Sequence, residues 1–172
     1  MGRDKATLEV GGERLARRLG RLLSEVARPV LEVGPGWSGL ATAEPDIGEG
    51  PLTAIAAGWR SLQAGGFNGD VIVLATDLPS LTADVLVWIA RRPEATSVVP
   101  VVGGRPQPLC ARWCPADLDL VVDLVERGER AVSAGLGPDT AYLGEDEWRT
   151  VTAASAFRDA DRPEDLAPQG PS

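Results

Sequence analysis

The stretch Asp70-Val-Ile-Val-Leu-Ala-Thr-Asp77-Leu-Pro79 sets the strongest constraint on what this chain can fold into. Val71 to Ala75 is an unbroken apolar run, too short for an independent helix and rich in β-branched side chains. Such a run predicts a strand buried on both faces, as in a parallel sheet covered by helices. Pro79 cannot donate to a sheet ladder, so the strand should stop before it. Asp77 then falls at the carboxyl end of a central strand, where open α/β sheets place their ligand sites. A cap on the following helix or turn accounts for the same aspartate, and this stretch alone leaves both readings open.

The 172 residues suffice for one domain with its own core. No apolar run approaches the roughly 20 residues that span a bilayer, and Met1-Gly-Arg-Asp-Lys5 lacks the apolar centre of a signal peptide. The expected location is the cytoplasm, with no membrane partner. A net charge of −8 argues against a nucleic-acid partner. It leaves room for a nucleotide, which needs only a local basic patch. Among the early basic residues, Arg3 and Lys5 fall in a loop, whereas Arg14, Arg17, Arg18 and Arg21 suit a solvated helix face.

Histidine is absent. That removes Ser-His-Asp and Cys-His catalysis and any imidazole metal site. A metal here would be hard and oxygen-ligated, hence Mg²⁺, with Mn²⁺ as the alternative. Cys110 and Cys114 are separated by three residues, which is neither a redox nor a zinc spacing, so both read as structural thiols.

Along the chain, Gly2-Arg3-Asp4-Lys5 resembles a phosphate-binding loop, but such loops normally follow a strand. Ala6–Val10 reads as a short strand turned by Gly11-Gly12. Apolar residues at Leu15, Leu19, Leu22, Leu23 and Val26 predict a helix that Pro29 ends. Val30–Val33 is a short strand, and 37–50 a loop. Pro51 opens a helix at a position where a missing N–H costs nothing. Thr82 is a candidate N-cap, and Pro115–Glu126 a further helix. Ser97–Val102 reads as a strand, with Pro100 marking an edge or a bulge, and Pro108–Trp113 as a returning strand after the tight turn Gly103-Gly104. Residues 128–147 carry little pattern, and Val151-Thr152 is the expected last strand. Trp37, Trp113 and Trp148 fall at expected loop or edge positions, where they would suit a partner surface. Alternating strands and helices imply one three-layer α/β domain with a mostly parallel sheet, over 1–166, and a loose tail over 167–172.

Several polar residues can converge on chemistry. Lys5 suits phosphate charge, and Asp46, ahead of Gly50-Pro51, suits a base or ribose. Asp77 suits a divalent cation. Asp159 and Asp161, at i and i+2, point to one side if extended, and one of them can complete a metal site or approach the ligand. Each has a structural alternative: a surface lysine, a turn aspartate, or the N-cap of a terminal helix. Together they suit phosphoryl or nucleotidyl transfer, which needs charge neutralisation and in-line positioning rather than a protein nucleophile.

At these residues the chain resembles a known family. Met1-Gly-Arg-Asp-Lys-Ala6, Gly50-Pro-Leu-Thr-Ala54, Thr76-Asp-Leu-Pro79, Arg105-Pro-Gln-Pro-Leu109 and Asp161-Arg-Pro-Glu-Asp-Leu166 occur in the order and spacing of molybdenum cofactor guanylyltransferases, within the MobA-like nucleotidyltransferases. The resemblance implies a Rossmann-like fold of the nucleotide-diphospho-sugar transferase type. It implies transfer of GMP from Mg-GTP to molybdopterin with release of pyrophosphate, and contact with molybdenum-enzyme maturation proteins. It implies that Lys5 and Asp77 are catalytic and bind nucleotide with Asp46. By the same resemblance Arg105, Gln107 and Asp159 meet the acceptor, and Asp161 joins Asp77 at the metal. Transfer of CMP, a different phosphorylated acceptor, or a non-catalytic binding domain are the alternatives.

The family's motif is preceded by a strand and a Leu-Ala-Gly-Gly-x-Ser-x-Arg loop, which this sequence does not contain. The expectation is a gap in the sheet beside its ligand end and impaired GTP binding, both relieved by restoring about two dozen upstream residues.

Overall fold

A computed structural model describes residues 9–10, 12–43 and 50–159. A hairpin of β1 (Glu9–Val10) and β2 (Glu13–Arg14) leads directly into helix α1 (Leu15–Val26). Then come β3 (Leu31–Val33), β4 (Ala41–Ala43), α2 (Pro51–Ala64), β5 (Val71–Leu74) and α3 (Ala83–Ala90). The second half holds β6 (Val98–Val102), β7 (Arg105–Pro106), β8 (Cys110–Trp113), α4 (Pro115–Glu126), β9 (Ala141–Leu143) and α5 (Glu145–Trp148).

The fold class is α/β, as expected, but the pairing is more antiparallel than the sequence suggested. β8 pairs antiparallel with β5 and with β6, while β9 pairs parallel with β6. Strands β5, β6 and β9 therefore share one direction, and β8 runs against them. The cause is local. Gly103 and Gly104, both at positive φ, turn the chain tightly after β6, so the returning segment must run backwards. It inserts as β8 between β6 and β5. β3 and β4 form a separate parallel pair.

Alternation along β5 sorts the core into two layers. Ile72 and Leu74 pack with α1 and α3 residues such as Leu19, Val85, Leu86 and Ile89. Val71 and Val73 pack with Leu52, Ile55, Trp59, Leu118 and Val121 of α2 and α4. Successive strand side chains point to opposite faces, so helices cover both sides of the sheet. Yet all four β5 residues are only half-buried, not enclosed as expected.

Other expectations need correction. Pro100 lies in an interior strand, not at an edge; the break it marks is in the β8 ladder, which meets β6 only at Val98↔Arg112. Val151 and Thr152 form no strand; their amides bond to the Trp148 carbonyl at 2.9 and 3.1 Å. The strand lies earlier, at β9. Trp113 and Trp148 are fully buried and mark no surface. Each satisfies its indole N–H on a carbonyl, Pro108 at 2.9 Å and Val101 at 3.0 Å, which allows so large a side chain to sit in the core. Thr82 occupies the N-cap position of α3 but makes no side-chain cap hydrogen bond.

Candidate active site

β5 delivers Thr76 and Asp77 at its carboxyl end, and two contacts hold that strand in place. At the far end the buried Arg112 guanidinium lies 3.3 Å from Asp70 and donates to the carbonyls of Ala90, Arg92, Glu94 and Thr96. It thus ties the segment after α3 to the start of β5. At the near end the Ala75 amide donates to the Leu109 carbonyl at 2.7 Å. The carboxyl end of β5 is therefore adjacent to the segment that enters β8, Arg105 to Leu109. Within that segment the Gln107 amide donates to Pro100, and its carbonyl accepts from Cys110 at 3.0 Å.

Asp77 is half-buried and, with Thr76, lines a cavity of about 570 Å³. Gly50, Pro51 and Ala54 line it from the start of α2, and Leu109 from the segment before β8. The sequence Gly50-Pro51 explains the first group. Gly50 adopts φ 99°, a value that favours glycine, and Pro51 supplies the first helical φ without an orphaned N–H. One turn in, Thr53 Oγ1 is buried with no hydrogen-bond partner.

Glu32 belongs to this site too, although sequence reasoning missed it. Its carboxylate accepts from the amides of Gly36, Trp37 and Ser38 at 2.8, 3.0 and 2.7 Å, and from the Ser38 hydroxyl. These bonds fold the loop after β3 back on itself, so that β4 can re-enter parallel to β3 after only a short connection. Ser38 and Leu40 of the loop line the cavity. Burial alone would raise the Glu32 pKa, but the Ser38 hydroxyl and the three amides outweigh it and hold it below the usual carboxylate value. The signal available in sequence was a strand carboxylate just ahead of Gly34-Pro35-Gly36.

The family profile of the MobA-like NTP transferase domain matches residues 1–141. This chain belongs to that family. It is a nucleotidyltransferase by membership. A probable molybdenum cofactor guanylyltransferase from Opitutus terrae is 36% identical over 144 residues, which is 77% of this chain and 69% of that protein. Another, from Pelotomaculum thermopropionicum, is 34% identical over 118 residues, covering 64% of this chain and 56% of that protein. In fold, the chain matches the crystal structure of molybdopterin-guanine dinucleotide biosynthesis protein A from Archaeoglobus fulgidus. There the TM-score is 0.71 at 18% identity, covering 96% of this chain and 88% of the other. A putative protein from Aquifex aeolicus gives 0.69 at 12% identity, with 86% and 79% coverage.

Of the site residues expected from sequence, Lys5, Asp46 and Asp161 lie outside the described residues. Gln107 is half-buried and Arg105 is exposed on β7; neither lines the cavity. Asp159 is exposed, two residues after Phe157, which shares a core cluster with Leu78 next to Asp77. Phe157 is itself fixed edge-on against Trp148, with ring centroids 5.3 Å apart. Among the described residues no three acidic, histidine or cysteine side chains form a ready metal cage. One half-buried carboxylate still fits Mg²⁺, which commonly uses one or two carboxylates with substrate phosphates and water. Cys110 and Cys114 are buried free thiols, as expected. No helix among the described residues is long and apolar enough to cross a membrane.

Proposed function

We propose that this nucleotidyltransferase transfers GMP from Mg-GTP to molybdopterin, releasing pyrophosphate, as part of molybdenum cofactor biosynthesis. The observation that carries this reading is convergence. Segments far apart in sequence, Gly50–Ala54, Thr76-Asp77 and Leu109, line one cavity at the carboxyl end of β5. All three belong to motifs that the chain shares in spacing with guanylyltransferases, and its two curated relatives carry that name.

In this reading Asp77 is the carboxylate that holds Mg²⁺, with Asp161 as its second oxygen donor. The cation would neutralise triphosphate charge and align the leaving pyrophosphate. Lys5 steadies the same phosphates, and Asp46 contacts the nucleoside. The N-terminal end of α2 favours negative charge nearby. Arg105, Gln107 and Asp159 are assigned to the acceptor, as the family resemblance implies. In-line attack by the acceptor's phosphate on the α-phosphorus needs no protein nucleophile, in keeping with a chain that has no histidine.

Calorimetric titration with GTP, with and without Mg²⁺, tests the reading. Mg²⁺-dependent GTP binding should weaken by about tenfold or more in Asp77→Asn, and CTP should bind less well. Equal affinity of Asp77→Asn, or binding indifferent to Mg²⁺, removes Asp77 from the metal role.

A further inference from the structure

Helix α1 turns one of its arginines inward. Arg17 and Arg21 are exposed, as a solvated helix face requires, but Arg18 is half-buried. Its place on the helix explains this. Leu15, three residues before it, and Leu22, four residues after it, lie on the same side of α1, and both are buried. The Arg18 guanidinium donates from Nη2 to the Leu81 carbonyl at 2.9 Å, while Nη1 is buried with no hydrogen-bond partner. A guanidinium stays charged, and a buried N–H without an acceptor is costly. An apolar side chain of similar length would fill the position without that cost. Stability alone therefore does not account for an arginine here.

We propose that Arg18 is a positioning residue for Asp77, an inference that rests on Asp77 as the Mg²⁺ carboxylate. It acts through the turn that joins β5 to α3. The Leu81 amide donates to the Leu78 carbonyl at 3.3 Å, which closes a four-residue turn directly after Asp77. Pro79 fixes φ at the second position of that turn. Leu78 and Leu81 are both buried in the cluster that holds Leu15, Leu19 and Leu22 of α1. Apolar packing presses the turn onto the helix but is non-directional. A hydrogen bond from a charged donor has a direction, and the Arg18 bond supplies it. Thr82, at the N-cap position of α3, makes no side-chain cap bond that could do the same. Holding the Leu81 carbonyl orients the turn on α1. Because Leu78 follows Asp77 directly, it also sets the backbone direction from which the Asp77 carboxylate leaves. Groups that orient a metal carboxylate from behind commonly decide how tightly the metal is held.

The test compares wild type, Arg18→Met, Arg18→Lys and Asp77→Asn. Mn²⁺ binding in the presence of GTP is followed by electron paramagnetic resonance, and GTP binding is measured without metal. Methionine keeps an unbranched apolar stem and removes the bond. Arg18→Met should weaken Mn²⁺ binding by about tenfold. Its metal-free GTP binding and its unfolding midpoint should stay close to wild type, since losing the unpartnered Nη1 offsets the unbonded Leu81 carbonyl. Arg18→Lys, which restores a charged donor, should recover most of the metal affinity. In Arg18→Met the Leu81 amide should also exchange about tenfold faster, with Ala111 and Trp113 unchanged. Wild-type Mn²⁺ affinity in Arg18→Met overturns the proposal, whatever the Leu81 amide does. An equal loss of metal-free GTP binding, or a metal loss that follows a lowered unfolding midpoint, overturns it as well, because the role would then be structural. Asp77→Asn separates the two readings. If it binds Mn²⁺ as wild type does, the metal role of Asp77 falls and the proposal with it. If it alone loses affinity, only the proposal falls.

Discussion

Arg112 is the side chain on which the most backbone depends. Its buried guanidinium donates to carbonyls from Ala90 to Thr96, and these would be left without partners in Arg112→Met. We expect that variant to lose about 2–4 kcal/mol in urea unfolding. Asp70→Asn should lose less than about 1 kcal/mol, because the Asp70 side chain is 40% exposed and its ion pair is screened. Similar losses in both would shift the weight to the ion pair. Glu32 carries a pH dependence of definite sign. Its folded pKa lies below the ordinary value of 4.5, so its stabilisation is complete above that value and is lost as pH falls through the folded pKa. The unfolding midpoint of Glu32→Gln should therefore vary less than that of wild type as pH falls below 4.5. An unchanged slope would mean the loop clasp does not depend on the charge. Burial pushes the Cys110 thiol up to about 12, so it should resist alkylation in the folded protein at neutral and mildly alkaline pH and react only on unfolding.

At the scale of elements, what the sequence announced was what repeats. The leucine spacing of α1, the Gly-Pro start of α2 and the apolar run of β5 all follow from local periodicity or turn chemistry. The convergence of Gly50–Ala54 with Thr76-Asp77 does not; the sequence offered it only through the family resemblance. β4 and β9 were invisible because each is only three residues long, and β9 in addition takes its pairing from the distant β6. The return of β8 after Gly103-Gly104 was legible, but its insertion between β6 and β5 was hidden, since a hairpin can place its return strand on either side. Gly135 belongs to the same class. It lies in a patternless stretch, yet a Cβ there would stand 2.4 Å from Val121 Cγ2 and 3.2 Å from Trp113 Cζ3. The turn over 132–135 can lie against α4 only with no side chain at that point. Gly135→Ala should destabilise by about 1–3 kcal/mol, and Val121→Ala in the same molecule should recover part of the loss. Additive losses would show that the turn moves away without disturbing Val121.

For the molecule as a whole, the layering implies unequal stability. β8 is paired on both sides, its residues are all buried, and both helix layers meet at its neighbours. The β3–β4 pair is joined to no other strand among the described residues and depends on α2 for support, chiefly where Gly58 lets the helix approach. A Cβ at Gly58 would stand 3.0 Å from Val33 Cγ2, so that approach is close, but it is one contact and not a ladder. Opening β3–β4 exposes little of the core around Trp113 and Leu118, whereas opening β8 exposes all of it. In this chain, amides of Ala111 and Trp113 should therefore exchange only through global unfolding, with rates that follow denaturant at the full unfolding slope. Those of Leu31 to Val33 should exchange through a smaller opening with a shallower slope. A single slope for both groups would mean that α2 alone binds β3–β4 into the cooperative unit. The cavity would then be assembled whenever the domain is folded. Two slopes would mean that the loop held by Glu32, and the cavity wall it provides, form and dissolve while the rest of the fold stays intact.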